Sequence, residues 1–326
     1  MENKKGVYTI IVDVEDIYSS YQGYDRQEKI RNFIKDAYLN WGISYVLIGG
    51  DTEIIPVRFT RITETDWYYS ALEGTWNANN NNIFGEPEDG TLLYANVSVG
   101  RVPANCSANV VNFVNKVIAY ETLQNTTHKN YVKNSLFVAA KTHPNTLSDY
   151  CNNLNSLTSD LGVLNAQDYY TLKLYDKQDN GTFINSGQPE NGRYFELSSE
   201  SFINALSTGW SDFGQSYGKF HLVYHIDHSS FNAMGSSSII KGQSIYRNDV
   251  DNLSNGLDYL QIIYSDGCHP NEFSRIQYPN ALLIMKMEVV LHLLVIVIMD
   301  IHMKRMCLLM NFVKNYIIMS VFMSEI

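Results

Sequence analysis

The chain has 326 residues, 45% hydrophobic and 18% charged, a balance that excludes a disordered polypeptide and supplies core enough for one large or two modest domains. Its net charge of −10 argues against nucleic acid or an anionic membrane surface as the main partner. The cysteines at 106, 151, 268 and 307 show no paired spacing, so no disulfide framework is implied.

The chain opens Met1-Glu-Asn-Lys-Lys-Gly and enters a strand at once, with no apolar signal region. A cytoplasmic protein and a chain lacking its upstream part both fit that start. Val7 to Val14 (VYTIIVDV) is rich in β-branched residues and predicts a buried strand. Asp25 caps a helix from Arg26 to about Trp41, with Ile30, Phe33, Ile34, Ala37 and Tyr38 at helical spacing and Gly42 as its stop. Tyr45-Val-Leu-Ile48 predicts a second buried strand, closed by Gly49-Gly50-Asp51, and Val97 to Val102 a third. Ser107 then caps a helix carrying Val110, Val111, Phe113, Val114, Val117 and Ile118. A strand at Leu136 to Ala140, a helix around Leu147 to Leu161 and a helix at Phe202 to Leu206 follow. Strands alternating with helices predict an α/β fold, a mostly parallel sheet with helices on both faces. The polar stretch Thr122 to Lys133 is the best boundary. It gives an N-terminal α/β subdomain over 1–125, a second over 126–284, and a hydrophobic tail over 285–326.

Between the second and third strands, Trp76 to Glu86 carries oxygen side chains at Asn77, Asn79 and Asn81 and then Glu86. Side chains at every second position converge in calcium loops, so the pattern suggests a weak structural calcium site. All three early ligands are amides, and Asn82 stands where such loops place glycine. A solvated Asn-rich turn is the competing reading.

Two segments carry the chemistry. Val223-Tyr-His-Ile-Asp-His-Ser-Ser230 and Ile262-Ile-Tyr-Ser-Asp-Gly-Cys268-His-Pro-Asn-Glu-Phe273 are apolar runs of strand type that end abruptly in polar turns. In an open α/β sheet, chemistry sits just beyond the carboxyl ends of the strands. The first turn presents His228 and the second Cys268, as a thiolate nucleophile and its acid/base partner require. The Asp266-Gly267-Cys268 turn offers backbone N–H groups for an oxyanion, because Gly267 admits close approach. Asp227 and Ser229 flank His228 as candidates to orient it. No cofactor is required for this chemistry, whose partner is a protein or peptide substrate. His225, His228, Cys268 and His269 also invite a zinc-dependent hydrolase. On a strand, however, His221, Val223 and His225 share one face while His228 lies past the end, so a His-x-x-His pair diverges. His221 and His225 are better read as core or supporting histidines.

These residues resemble the gingipain-type cysteine peptidases, from about Val7 to Ile284. The landmarks, in order, are Asp16-Ile-Tyr-Ser-Ser-Tyr21, Tyr45-Val-Leu-Ile-Gly-Gly-Asp51 with Ile55-Pro56, Asp66-Trp-Tyr-Tyr69, Val99-Gly-Arg-Val-Pro103 and Ala119-Tyr-Glu121. The resemblance implies a caspase-like three-layer α/β sandwich and a cysteine endopeptidase that works through an acyl-enzyme. Its catalytic Gly-His-Gly-Ser turn maps onto Asp227-His228-Ser229-Ser230, without either flanking glycine, and its nucleophile onto Cys268. No acid for an Arg or Lys specificity pocket is placed. The resemblance also implies a secreted or cell-surface parent, although this chain carries no signal peptide. An inactive fragment, or a binding module that keeps the fold without the chemistry, is the alternative.

After Ile284 the composition changes. Eight of the chain's ten methionines fall in 285–326, and glycine and proline are absent there. The run Val289 to Met299 has 11 residues, too short for a membrane span of about 20. Back-translation of Met285-Lys-Met-Glu-Val with permitted codons can give Asn-Glu-Asn-Gly-Gly in the neighbouring frame. The tail is therefore expected to be out-of-frame translation. The coding DNA tests this: one single-base change near the Ile284 codon should restore a Gly-rich segment, and a sequence in which none does so removes the idea.

Overall fold

The computed structural model describes residues 8–61, 63–92, 94–122, 131–140, 154–155, 170–176, 192–212, 215–230, 232–235, 244–253, 255–267, 283–285 and 316–321. The chain forms two compact units that divide between Ile118 and Ala119, with later segments, including 316–321, returning to the first.

In the first unit, strand β1 (Tyr8–Asp13) turns directly into helix α1 (Val14–Ser20). Sequence alone carries the strand on to Val14, but the Asp13 carboxylate accepts the Glu15 N–H at 3.0 Å and starts a helix there. Helix α2 (Arg26–Trp41) begins at Asp25, whose carboxylate accepts the Glu28 N–H, and ends at Gly42 in the left-handed region, φ 67°. That is the span and both signals that the sequence predicts. Next come β2 (Tyr45–Gly49), β3 (Arg58–Phe59), β4 (Glu64–Thr65), the single turn α3 (Trp67–Ser70), β5 (Ser98–Val102) and α4 (Ser107–Thr122). Ser107 is the first helical residue of α4 rather than its cap. Ile30, Phe33, Ile34 and Ala37 of α2 are buried together with Val46 and Ile48 of β2, whereas Leu47 and Val102 pack with Val110 and Phe113 of α4. The alternation along β2 thus sends successive side chains to two helix layers.

Buried arginines tie this unit together. Arg101 of β5 makes a fork-to-fork pair with Asp66, Nε and Nη2 to the two carboxylate oxygens at 2.7 Å. Its Nη1 donates to the carbonyls of Gly50, Asp51 and Ile55. Burial works to discharge the guanidinium, and the charge and hydrogen bonds of Asp66 more than reverse that. Arg31 of α2 donates to the carbonyls of Tyr68, Ala71, Glu73 and Gly74. Arg58 forks onto Asp25 at 2.6 and 2.7 Å, with its guanidinium carbon 3.8 Å from the centre of the Phe84 ring.

The second unit contains β6 (Asn134–Ala139), β7 (Tyr170–Tyr175), β8 (Gly192–Glu196), α5 (Ser199–Ser207), β9 (Trp210–Asp212), β10 (Gln215–Gly218) and β11 (Leu222–Ile226). It continues with β12 (Ser229–Ser230), β13 (Ala233–Gly235), β14 (Ser244–Tyr246), α6 (Arg247–Asp251), β15 (Ile262–Asp266) and β16 (Leu283–Met285). Strands β7 and β8 are not predicted from sequence. Six strands form a wholly parallel sheet in the order β16-β15-β11-β6-β7-β8. Phe202, Ala205 and Leu206 of α5 cover one face against Leu136, Val138, Leu174, Val223 and Ile263. Phe137, Ala139, Tyr175 and Ile226 lie on the other, packed with Leu154. The helix expected around Leu147 to Leu161 lies outside the described residues except for Leu154 and Asn155, which are helical.

The last strand, β17 (Tyr316–Val321), comes from the tail and returns to the first unit. It lies between β1 and β2, antiparallel to both, in a sheet ordered β1-β17-β2-β5 whose β2 and β5 are parallel.

Asp66→Ala would remove the carboxylate that forks onto the buried Arg101 guanidinium. Breaking such a pair costs about 3–5 kcal/mol. Urea unfolding should show a loss of that size, and a loss under about 1 kcal/mol would contradict a structural role for the pair.

Candidate active site

The sheet of the second unit begins at β6, grows through β7 and β8 on one side, then resumes with β11 and β15 on the other. The winding reverses between β6 and β11, and the crevice beyond the carboxyl ends at such a point is where α/β sheets place ligands. Strands β11 and β15 are parallel neighbours in register from Leu222↔Ile262 to Ile226↔Asp266, so they end flush. The turn Asp227-His228-Ser229 and the residues Asp266-Gly267 therefore emerge side by side. His228 is exposed, Ser229 and Gly267 are half-buried, and Asp227 is buried. Cys268 lies outside the described residues, as does His269.

The two turns touch. A Cβ on Gly267 would fall 2.1 Å from Ser229 Oγ, 2.6 Å from its Cβ and 3.1 Å from the Asp227 carbonyl oxygen. Only glycine permits this approach. The Ser229 hydroxyl, buried at this contact, makes no hydrogen bond among the described residues. Gly235 is the second close approach. Its N–H donates to the His228 carbonyl at 2.7 Å, and a Cβ there would lie 2.1 Å from Asp227 Oδ2. Asp227 Oδ1 accepts the His228 N–H at 2.6 Å. Both backbone groups of His228 are thus held, by Asp227 from within the turn and by the β12–β13 hairpin from outside.

His225 lies fully buried beneath the turn. Its Nδ1 is 2.9 Å from Ser265 Oγ and its Nε2 is 2.8 Å from the Gly235 carbonyl oxygen. A carbonyl only accepts, so Nε2 carries the proton and Nδ1 receives the Ser265 hydroxyl. Burial pushes its pKa down to about 4, so the ring is neutral through the physiological range. It stacks on Phe202 at 5.8 Å. With both nitrogens engaged, His225 offers no lone pair to a metal. Among the described residues no group of three or more His, Cys, Asp or Glu is arranged to hold one. His221 lies at the opposite end of β11, buried, its Nε2 2.9 Å from the Tyr120 hydroxyl. Burial lowers its pKa as well.

The Asn-rich loop of the first unit brings three of its four predicted ligands together, Asn79, Asn81 and Glu86, whereas the Asn77 side chain pairs with Asn82. Glu86 Oε2 accepts Nδ2 of Asn81 at 2.5 Å and of Asn79 at 3.3 Å. The side-chain oxygens of Asn77, Asn79 and Asn81 accept the N–H groups of Asn82, Asn81 and Ile83. Asn80 and Asn82 take positive φ, which asparagine tolerates. A cation here would have to turn the Asn79 and Asn81 amides away from Glu86.

Sequence reading does not single out Gly235 or Ser265, and it leaves His225 without a partner. Aligning the ends of the two apolar runs would have paired His225 with Ser265; nothing local marks Gly235.

Comparison with known proteins supports the same reading of the fold. The profile of peptidase family C25 matches residues 1–286. Among solved structures, the Arg-specific cysteine proteinase gingipain R (RgpB) matches with a TM-score of 0.54 and 20% identity, over 82% of this chain and 49% of that one. The complex of Porphyromonas gingivalis RgpB pro- and mature domains matches with a TM-score of 0.52 and 20% identity, over 78% of this chain and 48% of that one. The chain thus spans about half the length of the structures it matches. No curated protein matches it. The parallel sheet, its helix layers and these neighbours agree with the caspase-like α/β fold expected from sequence.

Gly267→Ala should destabilise the second unit by about 1–3 kcal/mol, the usual cost of forcing a methyl group into filled space. The same substitution in a Ser229→Gly background should cost much less, because the clash is with that side chain. Denaturant unfolding of the four-member cycle measures this; additive losses would contradict the contact.

Proposed function

Because this chain belongs to peptidase family C25, a family of cysteine peptidases, we propose that it hydrolyses peptide bonds with Cys268 as nucleophile and His228 as general acid/base. The Cys268 thiol gives its proton to the His228 imidazole, and the thiolate attacks the scissile carbonyl carbon. The resulting oxyanion is received by backbone N–H groups of the Asp266-Gly267-Cys268 turn. Protonated His228 hands its proton to the leaving amine, and the C–N bond breaks to leave a thioester on Cys268. Water, deprotonated by His228, then cleaves the thioester and releases the acid. Asp227 and Ser229 support the histidine turn.

The observation that carries this reading is the flush ending of β11 and β15, which sets His228 beside the residues that lead into Cys268. The lock of Gly267 on Ser229 agrees with it. The substrate class is a protein or peptide, and the setting is secreted or cell-surface. No helix among the described residues is long and apolar enough to cross a membrane.

Cleavage of a fluorogenic peptide library is the test. General acid/base groups contribute about 10²–10⁴-fold, so His228→Ala should lower kcat/KM within that range, and Cys268→Ala should bring it to background. Unchanged turnover in either folded variant would contradict the assignment.

A further inference from the structure

His225 occupies a place that neither packing nor the dyad chemistry requires a histidine to fill. It is fully buried on β11 against Phe202, where an aromatic or aliphatic residue would serve a core. Instead its two nitrogens reach two different segments. Ser265 is the next-to-last residue of β15 and stands three positions before Cys268 in the chain. Gly235 ends β13, and its own N–H holds the carbonyl of His228.

One neutral imidazole therefore closes a continuous chain of contacts. The Ser265 hydroxyl donates to Nδ1, Nε2–H donates to the Gly235 carbonyl, and Gly235 N–H donates to the His228 carbonyl. Gly235 also carries the Asp227 carboxylate against its bare Cα, and that carboxylate takes the His228 N–H. The β15 end of the proposed site is thereby fixed in distance to the backbone of the histidine turn, and both bonds of the imidazole itself are buried. Buried bonds of this kind are costly to break, because each leaves an unsatisfied polar partner.

Resting on the dyad reading above, we infer that His225 is a positioning residue: through Ser265 and Gly235 it sets the spacing between the nucleophile strand and the His228 turn. Its role is to orient, and it exchanges no proton during turnover. It has a single working tautomer, with hydrogen on Nε2. Glutamine, whose amide nitrogen can take the place of Nε2, keeps the bond to Gly235; phenylalanine keeps only the stacking.

The test is the rate of iodoacetamide alkylation of Cys268 against pH in the full chain, read by peptide mass mapping. The exposed free thiol of Cys106 serves as the internal reference. An unassisted thiol reacts with a pKa of about 8.5, whereas a histidine-paired one stays reactive well below that. In the parent protein, Cys268 should react at pH 6 at least about tenfold faster than Cys106, and His228→Ala should remove that advantage. His225→Phe should remove most of it too, with circular dichroism unchanged, and His225→Gln should restore it to within about threefold. Ser265→Ala, which deletes one hydroxyl, should lower it in the same direction and keeps the test open if the phenylalanine variant fails to fold. If His228→Ala flattens the profile while His225→Phe and Ser265→Ala leave it intact, this inference is overturned and the dyad stands. If His228→Ala changes nothing, the dyad reading falls and this one with it.

Discussion

The candidate site depends on the register of one pair of parallel strands. Because β11 and β15 end level, at Ile226↔Asp266, the chain leaving each strand meets the chain leaving the other. A slip of one residue would reverse the facing of every side chain on the displaced strand. His225 would then leave Ser265, and the two turns would part. The register is held on both sides: β11 is also parallel to β6 from Leu222↔Ser135 to Ile226↔Ala139, and alternate residues of these strands are committed to opposite apolar faces. The strand order places this pair next to the point where the sheet reverses its winding, so the crevice follows from topology and the chemistry from what the register delivers to it.

Glycine governs how closely the turns can pack. The resemblance to the family maps its two histidine-flanking glycines onto Asp227 and Ser229. The space is made from across the fold instead. Gly267 accommodates the Ser229 side chain, and Gly235 accommodates the Asp227 carboxylate. The side chains of Asp227 and Ser229 on the histidine turn are matched by the absence of side chains on Gly235 and Gly267, and the Asp227 carboxylate holds the His228 N–H. Such complementarity follows from the close packing of protein interiors, where a change of one methylene is felt.

Local signals in the sequence were sufficient where structure is local. Helix α2 has the predicted span, from its Asp25 cap to Gly42, because capping chemistry and helical spacing lie within one segment. The ends of the two apolar runs were legible for the same reason: β-branched residues give way to turn residues. Helix α1 was not, since Asp13 serves both as the last strand residue and as a cap. The roles of Gly235, Ser265 and His225 were hidden, because each is defined by a partner that is distant in sequence. The landmark arginine at 101 became intelligible only through Asp66 and three carbonyls brought to it by the fold.

The central proposal is that the His228 imidazole activates the Cys268 thiol as a nucleophile. A peptidyl electrophile that mimics a scissile bond, followed by intact-mass and peptide mapping, tests it most directly. The account predicts a single adduct on Cys268, absent from a folded His228→Ala variant, with Cys106 unmodified. An adduct on Cys106 alone, or equal modification of Cys268 with and without His228, would contradict it.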